Sequence, residues 1–165
     1  MVEAGAITSS SAEPVNGRDD HGCFGCGRLN PHGLRLAFYR NPDEERIWAS
    51  FTPATEHEGF AGVTHGGIVT VVLDEAMGWV IFDRGIWAVT GKLSVTFRRP
   101  VETGMATRVR AWVISDRGRA LQAAGEVRRE DDEALLAEGT ATFVRVPEEQ
   151  ARMWQARYVG GTSDG

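Results

Sequence analysis

Residues 65–82 read HGGIVTVVLDEAMGWVIF. After the turn-forming Gly66 and Gly67 the stretch runs on for fifteen residues in which Gly78 is the only further Gly or Pro and the polar residues are Thr70, Asp74 and Glu75. A helix that is apolar on nearly every side is one wrapped by protein. At about 1.5 Å per residue it extends roughly 25 Å, and it falls short of the ~20 unbroken apolar residues of a membrane span, with two acids at its middle. The stretch therefore predicts a buried central helix whose carboxylates need partners.

Working outward, Asp83-Arg84-Gly85 ends the helix, and four strands are expected over 87–99, 105–115, 119–129 and 134–146. Pro100, Asp116-Arg117-Gly118 and Glu130-Asp131-Asp132 punctuate them. No second helix intervenes, so the strands read as an antiparallel meander rather than as βαβ units. Upstream, 34–40 and 46–51 alternate apolar with polar or small residues around Asn41-Pro42-Asp43, which predicts a hairpin, and 52–64 reads as a loop entering the helix. Residues 148–158 have helical composition, acids first and Arg152 and Arg157 later, with Met153 and Trp154 as expected anchors to the body.

The 165 residues and 18.0 kDa suit one domain over 19–147, with a mobile segment at 1–18 and, over 148–165, a helical tail and flexible end. A net charge of −5 offers nucleic acid no general attraction, and no membrane association is expected. The first twenty residues have neither a basic n-region nor an apolar h-region, so the expected location is the cytoplasm. Residues 21–34, HGCFGCGRLNPHGL, form a loop dense in Gly, Cys and His. Cys23, Cys26, His21 and His32 count four potential zinc ligands, but an isolated CxxC lacks the second pair of a zinc motif. The expectation is a Gly-rich loop with reduced thiols and no metal.

Two strands, one long apolar helix and four more strands make an α+β protein with one antiparallel sheet around the helix. At this point the residues resemble the hotdog-fold acyl-CoA thioesterases, in the group that includes phenylacetyl-pathway and 4-hydroxybenzoyl-CoA thioesterases. The resemblance rests on His65-Gly66-Gly67, on Asp74 nine residues after His65, and on 89–100, VTGKLSVTFRRP. It extends over about 34–146 and includes the Cys23-Phe24-Gly25-Cys26-Gly27 and Asn30-Pro31-His32-Gly33-Leu34 loop of one subgroup.

Thioester hydrolysis needs a donor for the carbonyl oxygen and a carboxylate that attacks or activates water. Gly66 and Gly67 let a carbonyl approach the backbone at a helix start, where N–H groups lack intrahelical partners. Asp74 suits the second role, as nucleophile or as general base. Gly66 and Asp74 are eight residues apart, about 12 Å along one helix, too far to grip one reacting carbon. A working site therefore combines the glycine turn of one subunit with Asp74 of another, so a homodimer is expected. The resemblance implies the same composite site, in dimers that pair into tetramers, with no cofactor beyond the CoA of the substrate. It also implies that a Ser or Thr on the following strand positions the water, a role matching Thr90. Where some relatives place an Asn six residues before the His, this chain has Gly59, so side-chain help to the carbonyl from that position is missing.

Glu75 is the rival acid, about 100° around the helix, and the nine-residue interval favours Asp74. A structural tie for either acid is the alternative. His65 orients the glycine turn, touches ligand, or caps the helix. Arg98 and Arg99 are candidates for the CoA phosphates, with Lys92 or Arg108 as others, and Trp79 for the acyl pocket. The other tryptophans read as core or interface fillers.

Overall fold

The structure is a computed structural model that describes residues 12–15, 19–40 and 44–159. Short strands β1 (Glu13–Pro14) and β2 (Tyr39–Arg40) precede β3 (Arg46–Phe51), a 3-10 turn over Thr55–His57 and a small hairpin of β4 (Glu58–Phe60) with β5 (Val63–Thr64). Helix α1 (Gly66–Phe82) follows, then β6 (Ala88–Phe97), β7 (Thr107–Asp116), β8 (Ala120–Arg129), β9 (Leu135–Arg145) and helix α2 (Glu148–Tyr158). The large sheet has the order β1-β2-β3-β7-β8-β9-β6, and each neighbouring pair is antiparallel. This is the expected hotdog arrangement, a sheet wrapped on one long helix.

The helix is held because the sheet supplies a matched apolar face. Val72, Leu73, Ala76, Met77 and Ile81 are buried in one core with alternating residues of the strands: Ile47 and Ala49, Val109 and Ala111, Leu121 and Ala123, Ala141 and Phe143. Period-two alternation in the strands meets the all-round apolar helix, and the opposite face carries charged side chains such as Arg110, Glu126 and Arg128. The helix comes close to the sheet where Gly125 of β8 pairs with Gly139 of β9. A Cβ at Gly125 would sit 3.3 Å from Leu73 Cδ2 and from Met77 Cγ, so the missing side chains let the helix settle onto the sheet.

Four expectations need correction. Residues 12–15, placed in a mobile segment, include β1, because Val15 packs on the core and its N–H donates to Phe38 O, while Arg40 pairs with both Glu13 (3.1 Å) and Asp83 (3.0 Å). The rest of that segment, 1–11 and 16–18, lies outside the described residues, as do 160–165 and the 41–43 hairpin turn. Of 34–40, only Tyr39–Arg40 joins the ladder to β3, and 52–64 holds the β4–β5 hairpin rather than a plain loop. In the tail, Met153 is 61% exposed, and the anchors are Trp154 and Tyr158, whose rings lie 6.2 and 6.4 Å from that of Trp87.

Candidate active site

The start of α1 is built by its own histidine. His65 is the N-cap, its Nδ1 accepting from the Gly67 N–H (2.9 Å) and its carbonyl accepting from Ile68 (2.9 Å). Of the two glycine amides singled out from the sequence, that of Gly67 is thus taken by the cap, while that of Gly66 has no acceptor among the described residues. A Cβ on Gly67 would stand 2.9 Å from His65 Nδ1 and displace the ring. Gly66 lies under the Phe97 ring, 3.3 Å from a notional Cβ, and Gly59 lies against His65, leaving room for no larger residue without movement. The glycine turn therefore sits beside the C-terminal end of β6.

Two turns into α1 the acids diverge. Asp74 accepts a 2.8 Å hydrogen bond from Thr90 Oγ1, near the N-terminal end of β6. Burial pushes its carboxyl above the usual range, and the Thr90 bond opposes part of that rise. Glu75 turns instead to the Cys23–Cys26 loop: Trp79 Nε1 donates to its Oε1 (3.2 Å) and Cys23 Sγ lies 3.6 Å from it. Burial, then the charge of Cys23, pushes Glu75 up to about 7. Cys23 is drawn down to about 5 by its contact with the Cys26 thiol, against the effect of burial and with help from backbone N–H groups, while that contact and burial push Cys26 up.

Both acids open onto one cavity of about 500 Å³, whose walls include Trp79, Phe82, Trp87, Thr90 and Phe143. Its roof comes from distant parts of the chain: His21, Cys23 and Cys26 of the loop, and Trp154 and Tyr158 of α2. His21 is buried, its Nδ1 accepting from the Cys23 N–H (3.3 Å) and its ring edge-on to Tyr158 at 5.4 Å. Trp79 lines this cavity, stacked at 6.0 Å on Phe38. Trp87 and Tyr158 were not singled out as pocket residues. The only hint was a Trp-bearing tail after the last strand, since nothing local says where a tail docks.

The basic residues separate. Arg98 is held by Glu138 at 2.6 Å, and Arg108 by Glu130 and the Trp48 ring, while Arg99 and Lys92 are exposed. Arg99 lies two residues beyond Phe97, its N–H donating to Leu136 O (3.0 Å) and its charge acting on Asp132. His32 is exposed on the loop and does not join the cysteines. No helix among the described residues is long and apolar enough to cross a membrane.

A sheet wrapped on a buried helix, with a histidine-capped glycine turn at the helix start and an acid held by a strand threonine midway, is the arrangement of the hotdog fold. Residues 61–136 match the family described as the thioesterase superfamily. Among curated relatives, the acyl-coenzyme A thioesterase THEM4 of Mus musculus is 25% identical over 118 residues, 72% of this chain and 51% of that protein. This chain thus spans about half the length of that relative. Among solved structures, the thioesterase superfamily protein RHA08564 superposes with a TM-score of 0.70 at 22% identity, over 74% of this chain and 60% of that one. A hypothetical thioesterase from Streptococcus pneumoniae TIGR4, solved with coenzyme A, gives 0.59 at 13% identity over 61% of this chain and 78% of that one. At these identities the two structures speak for the fold.

Proposed function

We propose that this chain is an acyl-CoA thioesterase, converting acyl-CoA and water to a carboxylate and free CoA at a composite site between two copies. The match of residues 61–136 to the thioesterase superfamily, the name of the curated relatives and the coenzyme A bound to a protein of the same fold support the substrate class. The observation that carries the composite site is the placement of its halves at opposite ends of β6: Gly66 packs on Phe97, whereas Asp74 bonds to Thr90.

Among the described residues strand β6 is the last in the sheet, paired with β9 on one side alone, and carries the exposed Val89 (46%) and Phe97 (53%). A ten-residue edge of this kind invites a further strand. Antiparallel pairing with a second β6, Leu93 opposite Ser94, sets Phe97 of one protomer against Thr90 of its partner. Gly66 of the first then approaches Asp74 of the second, and the two-fold axis repeats the site.

In this arrangement the Gly66 N–H donates to the carbonyl oxygen as negative charge develops there, aided by the helix dipole. Gly67 serves by letting His65 fold over the turn. Asp74 of the partner protomer attacks the carbonyl carbon or takes the proton of the attacking water, and Thr90 holds it in line. Arg99, two residues beyond Phe97 and exposed, meets the phosphates, and the cavity bearing Trp79 takes the acyl group. Glu75, turned to the cysteine loop, is not the reacting acid. Free thiol released from a panel of aromatic, short and long acyl-CoA substrates tests the reading. Thiol release by the wild type, and a loss of roughly 100- to 10,000-fold in Asp74→Asn with the oligomer intact, are expected. Binding of acyl-CoA without thiol release across the panel would make the chain a non-catalytic acyl-CoA module.

A further inference from the structure

The loop that roofs the cavity is fastened to α1 by an unusual set of groups. Cys23-Phe24-Gly25-Cys26-Gly27 folds as a tight turn, Gly27 N–H donating to Cys23 O (3.0 Å), and the backbone N–H groups of Gly25 and Cys26 both point at Cys23 sulfur. The sulfur atoms of Cys23 and Cys26 and a Glu75 oxygen all lie within 4.8 Å of one another. Glu75 belongs to an element 52 residues away in sequence from Cys23. Its carboxylate faces two thiols and the Trp79 N–H, and no Lys or Arg forms an ion pair with it among the described residues. A carboxylate taken out of water is costly unless a cation or donors compensate it. The approach is close enough that a Cβ on Gly25 would stand 2.4 Å from Glu75 Cδ, so the glycine is what lets the turn reach the acid.

These three side chains have the chemistry and the spacing of a half-built tetrahedron. With Zn–S near 2.3 Å and Zn–O near 2.0 Å, tetrahedral ligands place sulfur and oxygen about 3.5 Å apart. Cys23 Sγ is 3.6 and 3.8 Å from the two Glu75 oxygens. Sulfur ligands select a thiophilic ion over magnesium or calcium. The donors around the set also match what a metal site needs: amide N–H groups on a thiolate, and an indole N–H on the ligating carboxylate to hold its orientation. We propose that Cys23, Cys26 and Glu75 bind a thiophilic divalent cation, zinc foremost, with the fourth position open to the cavity and filled by water. The sequence led to an expectation of no metal; of the four potential ligands counted there, Cys23 and Cys26 belong to this set, His21 and His32 do not, and Glu75 from the central helix takes part. The ion would pin the roof loop to α1 one residue from Asp74, leaving Asp74 as the acid free to react. The inference does not depend on the thioesterase reading.

The test uses the full chain, reduced with a phosphine and stripped with a chelator, then titrated with cobalt(II) and back-titrated with zinc. One equivalent of cobalt giving thiolate charge-transfer absorption and tetrahedral visible bands, displaced by zinc, is expected. Cys23→Ser and Cys26→Ser should abolish the charge-transfer band, Glu75→Gln should weaken binding at least ~10-fold, and His32→Ala should leave it unchanged. Absence of the band in the reduced wild type, or its persistence in either cysteine variant, overturns the site. Loss of the band in His32→Ala overturns the ligand set. Because the wild-type titration alone can fail, the proposal stays falsifiable even if a cysteine variant does not fold. Its readout is independent of thiol release, so failure of one leaves the other standing.

Discussion

Thr90→Val isolates the interaction on which the proposed chemistry turns. Thr90 Oγ1 donates to Asp74 Oδ1 at 2.8 Å, and the contact is the one hydrogen bond identified to that carboxylate among the described residues. Valine keeps the β-branched shape favoured in a strand and removes only the donor. A hydrogen bond to a charged group is worth about 1.5–3 kcal/mol. If that term orients Asp74 in the transition state, turnover falls roughly 10- to 150-fold. Thr90 is exposed in the single chain, so stability should move by no more than about 0.5 kcal/mol. The assay is steady-state thiol release with the best acyl-CoA of the panel, alongside a urea melt. A lower kcat with KM near the wild-type value is expected, and Thr90→Ser should restore most of the rate. A Thr90→Val enzyme as fast as wild type, or a Thr90→Ser enzyme as slow as Thr90→Val, would refute the reasoning.

Three further outcomes follow from the same geometry. Leu73→Ala, at a fully buried position over the Gly125–Gly139 pair, should destabilise by roughly 2–5 kcal/mol, read as a shift in the denaturant midpoint at constant slope. Phe97→Asp places a charge at the exposed edge of β6 and should shift the protein to monomers by analytical ultracentrifugation, with loss of thiol release but retained helix content; a dimer surviving this change would argue against the β6 pairing. Asp116 is drawn down to about 2, chiefly by hydrogen bonding to Arg145, from an ordinary 3.8. Its folded-state value is depressed, so its contribution is fully present above about 4 and fades as pH falls toward 2. The small gap in urea midpoint between wild type and Asp116→Asn should therefore close over that range, and a gap that widened on acidification would contradict the pairing.

The sequence by itself determined the large elements. The apolar run after Gly67, with its paired acids and no breaker but Gly78, can be buried only as a helix inside protein, and turn clusters spaced by about a dozen residues delimit β6 through β9. Those signals are local: period, breakers and charge are all carried by neighbours in the chain. It also separated Gly66 from Asp74, because helix rise is a constant. What tertiary structure decided depends on residues distant in sequence. Which acid faces which partner came from the strand and loop that landed beside α1: Thr90 on Asp74, Cys23 on Glu75. The His65 ring took the Gly67 amide, a rotamer choice that composition does not encode. Glu13 and Pro14 joined the sheet, Val15 packed on the core, and Tyr158 and Trp154 closed over Trp87, because the burial that repays ordering a terminal segment exists only once the surface it covers has formed.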